Sequence, residues 1–166
     1  DGDDFYTKNW LLGALAVVNG KQGDVVVHPE CLITFGTNQW FSGVWDMDDR
    51  RDHSLSSCLA INMWVAASFG KKDLYLRHPY HRTDFLKTGF GYEDWHWNLE
   101  LVAHGIRHVT AKRTALLYRT KEVSTFTSHA AAGVIIRQSE FFNHPERWDK
   151  PTGAPQQAIS TMYLYN

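Results

Sequence analysis

From Glu93 to His104, Trp95, Leu99 and Val102 recur at i, i+4 and i+7, and Trp97 and Leu101 widen the same stripe. That period belongs to a helix with one face in a core. Glu93 and Asp94 fill its first turn, where negative charge complements the helix dipole. Gly105 stands where the left-handed closing residue belongs. A helix over 93–104 needs other layers to cover its stripe. Short β-branched runs at Asp24–Val27, Leu32–Phe35, Arg107–Thr110 and Thr114–Tyr118 supply them. The expected class is therefore α/β.

The longest apolar run, Leu11 to Val18, has eight residues. It falls well short of the roughly 18–20 that cross a bilayer. Trp10, Leu11, Ala14, Leu15 and Val18 at spacings of three and four predict a helix over Thr7–Asn19, with Thr7 as N-cap and Gly20 as the stop. Leu59–Ala67 reads as a strand or a buried helix, and Lys71–Leu76 as an edge strand. His28-Pro29-Glu30 reads as a turn or edge, because proline cannot donate to a ladder. His78–Asp84 is expected to be a loop, and Ser139–Trp148 to begin as a capped helix. The charged stretch Met47–His53 reads as a solvated loop. At 166 residues, the chain divides into one domain, 1–150, and a tail, 151–166.

Seventeen basic and eighteen acidic side chains give a net charge of −1. That balance argues against a nucleic-acid grip, which needs a basic stripe. Cys31 and Cys58 are the only cysteines, too few for a disulfide scaffold. The expectation is two reduced thiols in the cytoplasm, with an acidic opening in place of a basic-then-apolar leader.

Two acidic clusters carry candidate chemistry. Asp1-Gly2-Asp3-Asp4 crowds carboxylates that repel unless a cation neutralises them. Hard divalent ions such as Mg2+ or Mn2+ take such oxygens. A bare acidic surface is the plain alternative. Glu93-Asp94 serves the helix dipole, and that position also favours the ionised form. Beside Trp95 and the entry loop Gly89-Phe90-Gly91, such a carboxylate suits general-base work on a hydroxyl. A separate metal reading, His78-x-x-His81 with His96, has looser spacing.

The order of motifs resembles a family. Asp1-x-Asp3 is followed by Asn9-Trp10-Leu11, Asp24-Val25-Val26-Val27, Gly91-Tyr92-Glu93-Asp94-Trp95, Ala103-x-Gly105 and Leu116-Leu117-Tyr118-Arg119 with a later serine. From Asp1 to about Ser128 this resembles a family-2 glycosyltransferase of the GT-A fold. The resemblance implies a metal-dependent, inverting transfer of sugar from a nucleotide-sugar donor to a carbohydrate or other hydroxyl acceptor. It implies Asp1 and Asp3 as ligands of Mn2+ or Mg2+, and Asp94 as catalytic base. Glu93 and Trp95 would shape the acceptor site. Arg119, Lys121 and Ser124 would lie near the donor diphosphate. Lys121 stands where a histidine is often found, which makes His129 the candidate third metal ligand, against the alternative of a surface histidine.

Such enzymes carry a nucleotide-binding half before the Asp-x-Asp, and this chain starts at the motif. The expectation is the acceptor-side part of a transferase, with little turnover by itself. An apolar surface left exposed would then favour self-association or the missing half as partner. The alternative is a non-catalytic carbohydrate-binding or interaction domain derived from a transferase, using Trp and Tyr platforms without base or metal.

Overall fold

The computed structural model describes residues 2–49 and 54–148. Asp1 and the 151–166 tail lie outside the described residues. The chain forms β1 (Phe5–Tyr6), α1 (Trp10–Gly20), β2 (Val25–Gly36), β3 (Phe41–Gly43), α2 (Lys72–Arg77), α3 (Phe85–Thr88), β4 (Phe90–Gly91), α4 (Glu93–Ala103), β5 (Arg107–Thr120), α5 (Thr125–Ala131) and β6 (Ile135–Ile136). The main sheet runs β1-β5-β2-β3, and β4 pairs with β6. β2 and β5 are parallel, while β1 and β3 are antiparallel to their neighbours. The class is α/β with a mixed sheet. No helix among the described residues is long and apolar enough to cross a membrane.

Alternation along β2 explains the layers. Val25 and Val27 meet Trp10, Ala14 and Val18 of α1, together with Val109 and Ala111 of β5. Val26 points the other way, to Leu74 of α2 and Trp97 and Leu101 of α4. Successive strand side chains take opposite faces, so a run of three valines serves two cores. A third cluster joins Leu99, Val102 and Ala103 of α4 to Trp45, Cys58, Trp64 and Phe141.

Helix α4 follows its sequence pattern closely. Its end is a Schellman closure: Gly105, at φ +75°, donates to Val102 O at 3.0 Å, and Ile106 donates to Leu101 O at 2.9 Å. Loop 78–84 is as expected.

Several expectations are corrected. The two predicted strands 24–27 and 32–35 are one strand, β2, with Pro29 buried inside it. The predicted pair 107–110 and 114–118 is likewise one strand, β5. Both apparent breaks are the same bulge. Pairing jumps from Pro29↔Ala111 to Cys31↔Ala115, so Glu30 alone faces Lys112, Arg113 and Thr114. Side chains then do the bonding that the ladder cannot. Glu30 N donates to Thr114 Oγ1 at 3.2 Å, and Arg113 N, on a residue at φ +60°, donates to Glu30 Oε2 at 2.7 Å. The predicted strand Lys71–Leu76 is instead helical from Lys72 onward, in α2, where Leu74 is fully buried as the docking residue. Leu59–Ala67 is neither strand nor helix. After a 3-10 turn at Leu55–Leu59 it runs irregularly, tied down by side chains such as Asn62. Ser139 does cap, accepting from Phe141 N at 3.0 Å, but over two short 3-10 turns in place of a helix.

Thr7 is not the cap of α1, which begins at Trp10 behind Asn9. The Thr7 hydroxyl instead accepts from Ala115 N at 3.1 Å, extending the β1–β5 pairing. The helix buries Trp10, Ala14 and Val18 only; Leu11 and Leu15, expected on that face, are exposed with Leu12. A second open apolar strip crosses the whole sheet. Registers align Phe5, Leu117, Ile33 and Phe41 in one row, of which Phe5, Ile33 and Phe41 are exposed.

Candidate functional site

Strand β1 lies on β5, and that pairing carries the first acidic cluster to the end of β5. Arg119 N donates to Asp4 Oδ1 at 2.9 Å. The ammonium of Lys121 forms an ion pair with Oδ2 of Asp3. That pair, helped by the charge of Arg119, holds the Asp3 carboxyl below the usual carboxylate range. The result is a cleft of about 620 Å³ lined by Asp3, Asp4, Tyr118, Arg119, Lys121 and Ser124, with Phe85 and Phe126 at its apolar side. Four predicted residues therefore meet in one cavity. Ser124 has a structural duty there as well. Its hydroxyl accepts from Thr127 N at 3.1 Å while Thr127 Oγ1 accepts from Ser124 N at 2.8 Å, the reciprocal capping box that starts α5.

The second group is built on the first turns of α4. Asp94 is partly buried, and desolvation pushes its carboxyl above the ordinary value. The helix start does oppose this, through the backbone amide of Trp95, but desolvation outweighs it. The expectation that the helix position would favour ionisation is corrected on that ground. Glu93 adds to the upward push, and His129 opposes it. Glu93 Oε2 accepts from Thr83 Oγ1 at 3.4 Å. Trp95 is half-buried, and its Nε1 donates to Cys58 O at 2.8 Å. Trp97 is core, 2% exposed, stacked between Tyr75 and Tyr80.

His129 is not a surface residue; it is 4% exposed. Its ring meets the rings of Phe85 at 4.6 Å and Tyr92 at 5.1 Å. Its charge bears on Asp94, whereas the cations that bear on Asp3 are Lys121 and Arg119. Among the described residues no three imidazole, thiolate or carboxylate side chains form a metal cluster. His78, His81 and His96 are not so grouped either.

Two side chains relate the acidic groups. Phe85 lines the cleft and touches His129. Tyr118, also on the cleft, has its phenol held above the usual value first by burial and then by the carboxylates of Asp4, Asp3 and Asp94. Sequence reasoning missed Asn62, whose Nδ2 donates to Asp94 Oδ2 at 3.0 Å. The polar Asn62 inside an otherwise apolar stretch was its only signal. Tyr118 was quoted within a motif and given no role.

Asp3 and Asp4 offer hard oxygen donors of the kind Mg2+ and Mn2+ take, on the wall of a polar cleft. Lys121 already supplies positive charge at that spot, so the donor chemistry fits a cation.

Compared with protein-family models, with curated proteins and with solved structures, the chain matches none of them.

Proposed function

We propose that the chain is the acceptor-side part of a GT-A-like, inverting glycosyltransferase that moves a sugar from a nucleotide-sugar to an acceptor hydroxyl. One observation carries the reading: Asp3, Asp4, Arg119 and Lys121 line one polar cleft together with Tyr118. The proposed base, Asp94, is related to that cleft through Phe85, which lines it and meets His129, and through its charge on the Tyr118 phenol.

The roles follow from the side chains. Arg119 and Lys121 give charge-assisted hydrogen bonds to diphosphate oxygens. Asp3, with Asp1, would hold Mn2+ or Mg2+, whose chemistry is to offset negative charge on a departing diphosphate. Asp94 takes the proton of the acceptor hydroxyl. Its raised affinity for a proton brings it nearer the working pH, where a general base is most effective. Attack from the side of Asp94, opposite the diphosphate, inverts the anomeric centre. Glu93 and Trp95 border the acceptor.

The carbohydrate-binding alternative draws less support. Trp10, Trp45, Trp64 and Trp97 are buried, and Trp95 is anchored, so most of the tryptophans cannot act as sugar platforms. Calorimetry with Mn2+ and a panel of nucleotide-sugars separates the readings. The transferase reading expects binding that needs Mn2+ and is lost in Asp3→Asn. Binding of free sugar that ignores Mn2+ and survives Asp94→Asn overturns it, as does a panel with no metal-dependent binding.

A further inference from the structure

The irregular segment between the 3-10 turn and α2 makes one polar connection to the first turns of α4. Asn62 Nδ2 donates to Asp94 Oδ2 at 3.0 Å. Its other amide atom, Oδ1, accepts from Asn98 Nδ2 at 3.0 Å and from the backbone N of Trp64 at 3.3 Å. Two donors on the oxygen leave the amide no choice of orientation, because a flipped amide would face N–H against N–H. Asn98 is itself 2% exposed and sits one helical turn after Asp94. Trp64 is anchored in turn, its Nε1 donating to Trp45 O at 3.0 Å. The donor that meets Asp94 is therefore held by the core from two sides.

We propose that Asn62 is a positioning residue for Asp94: it occupies Oδ2 and so assigns the other carboxylate oxygen to the acceptor proton. The inference rests on the transferase reading for what Asp94 does, and on geometry alone for how Asp94 is held. A carboxylate gripped by one oxygen cannot rotate, which matters because proton transfer needs the base within hydrogen-bond reach and in line. A hydrogen bond to the charged form also favours ionisation, so Asn62 works against the burial of Asp94. The other titratable groups near this carboxyl are Glu93 on its own helix, His129 on α5, Tyr118 on β5 and Tyr80 on the 78–84 loop.

The test uses Asn62→Ala and Asn62→Asp in the 166-residue chain, with the side-chain carboxyl of Asp94 followed by NMR against pH. Loss of the donor moves the Asp94 midpoint upward by about half a pH unit or more. The aspartate variant moves it further, by adding a like charge, and Asp3 stays unmoved in both. Where Asn62→Ala fails to fold, Asn98→Ala replaces it; that change frees the Asn62 amide to turn and shifts Asp94 the same way by less. A folded variant with an unmoved Asp94 midpoint overturns the proposal, because a purely structural tether would cost stability and leave the titration alone. The readout needs no turnover, so the two readings fail separately. A shifted midpoint with no nucleotide-sugar binding keeps the positioning and removes the transferase; metal-dependent binding with an unmoved midpoint does the reverse.

Discussion

The ammonium of Lys121 sits on Oδ2 of Asp3, an oxygen closed off from solvent. A lysine in that position pairs the Asp3 carboxylate, so under the proposed function a divalent cation would compete with it.

Competition at Asp3 gives the first prediction. Lys121→Gln removes the resident cation, so Asp3 becomes a better ligand for Mn2+ alone, with affinity rising severalfold. The same change removes a charge-assisted contact to phosphate, so a nucleoside diphosphate binds more weakly. Opposite movements of the two affinities, read by Mn2+ paramagnetic resonance and calorimetry, support the arrangement. A parallel fall in both would place Lys121 outside the site. The Asp3 carboxyl also titrates higher in the variant, since Lys121 is the largest influence lowering it.

The sequence made the periodic elements legible and hid the rest for identifiable reasons. Helix α4 and its Gly105 closure were readable because the stripe, the acidic first turn and the glycine agree. β2 and β5 were each read as two strands because Pro29 and the charged Lys112-Arg113 look like turns. In the fold they are the two sides of one bulge, and only pairing reveals that. Helix α2 was mistaken for a strand because six residues are too few for periodicity to speak. Asp3, Arg119, Lys121 and Ser124 are singled out by motif, and the fold brings the four to one cleft. The Asn62–Asp94 bond joins segments 32 residues apart without local pattern, so nothing in the sequence could orient that amide.

Acid should weaken the fold through a buried histidine pair. His28 Nδ1 lies 2.8 Å from Ala67 O, and His28 Nε2 lies 2.9 Å from His108 Nδ1. The carbonyl can only accept, so His28 carries its proton on Nδ1, and its Nε2 accepts from His108; both rings are neutral. Burial lowers His28 from 6.5 to about 4 and lowers His108 well below its ordinary value. In the unfolded chain both bind protons near pH 6.5. Between that value and about 4 the unfolded state holds more protons than the native one, so stability is complete above the window and declines as pH falls through it. His28 alone accounts for on the order of 3 kcal/mol across the window. Urea midpoints at pH 7, 5.5 and 4.5 should fall in step; a flat series would contradict the neutral pair.

The thiols offer a separate check on the core. Burial pushes Cys58 up to about 12, and burial also raises Cys31, which is only partly covered. The thiolate is the reactive form. At pH 8 a disulfide reagent should modify Cys31 slowly and leave Cys58 untouched until denaturant is added. Rapid reaction of both thiols in the native protein would show that the cluster around Cys58 is not closed.

Gly91 lies in the short β4–β6 pairing, and a methyl group there would enter filled space beside His129. A Cβ there would lie 2.7 Å from Val134 Cγ1 and 2.8 and 2.9 Å from His129 Cε1 and Nδ1. His129 has little room to yield, since Phe85 and Tyr92 flank its ring. Gly91→Ala should therefore destabilise the protein by about 1–3 kcal/mol, the usual cost of forcing extra volume into a filled core. The backbone at Gly91 is not itself in the left-handed region, so this cost arises from crowding alone. The variant also carries a second signature. His129 is the neighbour that opposes the raised affinity of Asp94 for its proton, and a displaced ring weakens that opposition. Asp94 should titrate higher in Gly91→Ala, while Val134→Ala in the same background makes room and restores part of both stability and midpoint. Chemical denaturation together with the Asp94 titration would measure this, and a stable variant with an unchanged midpoint would mean that β4 can shift without moving His129.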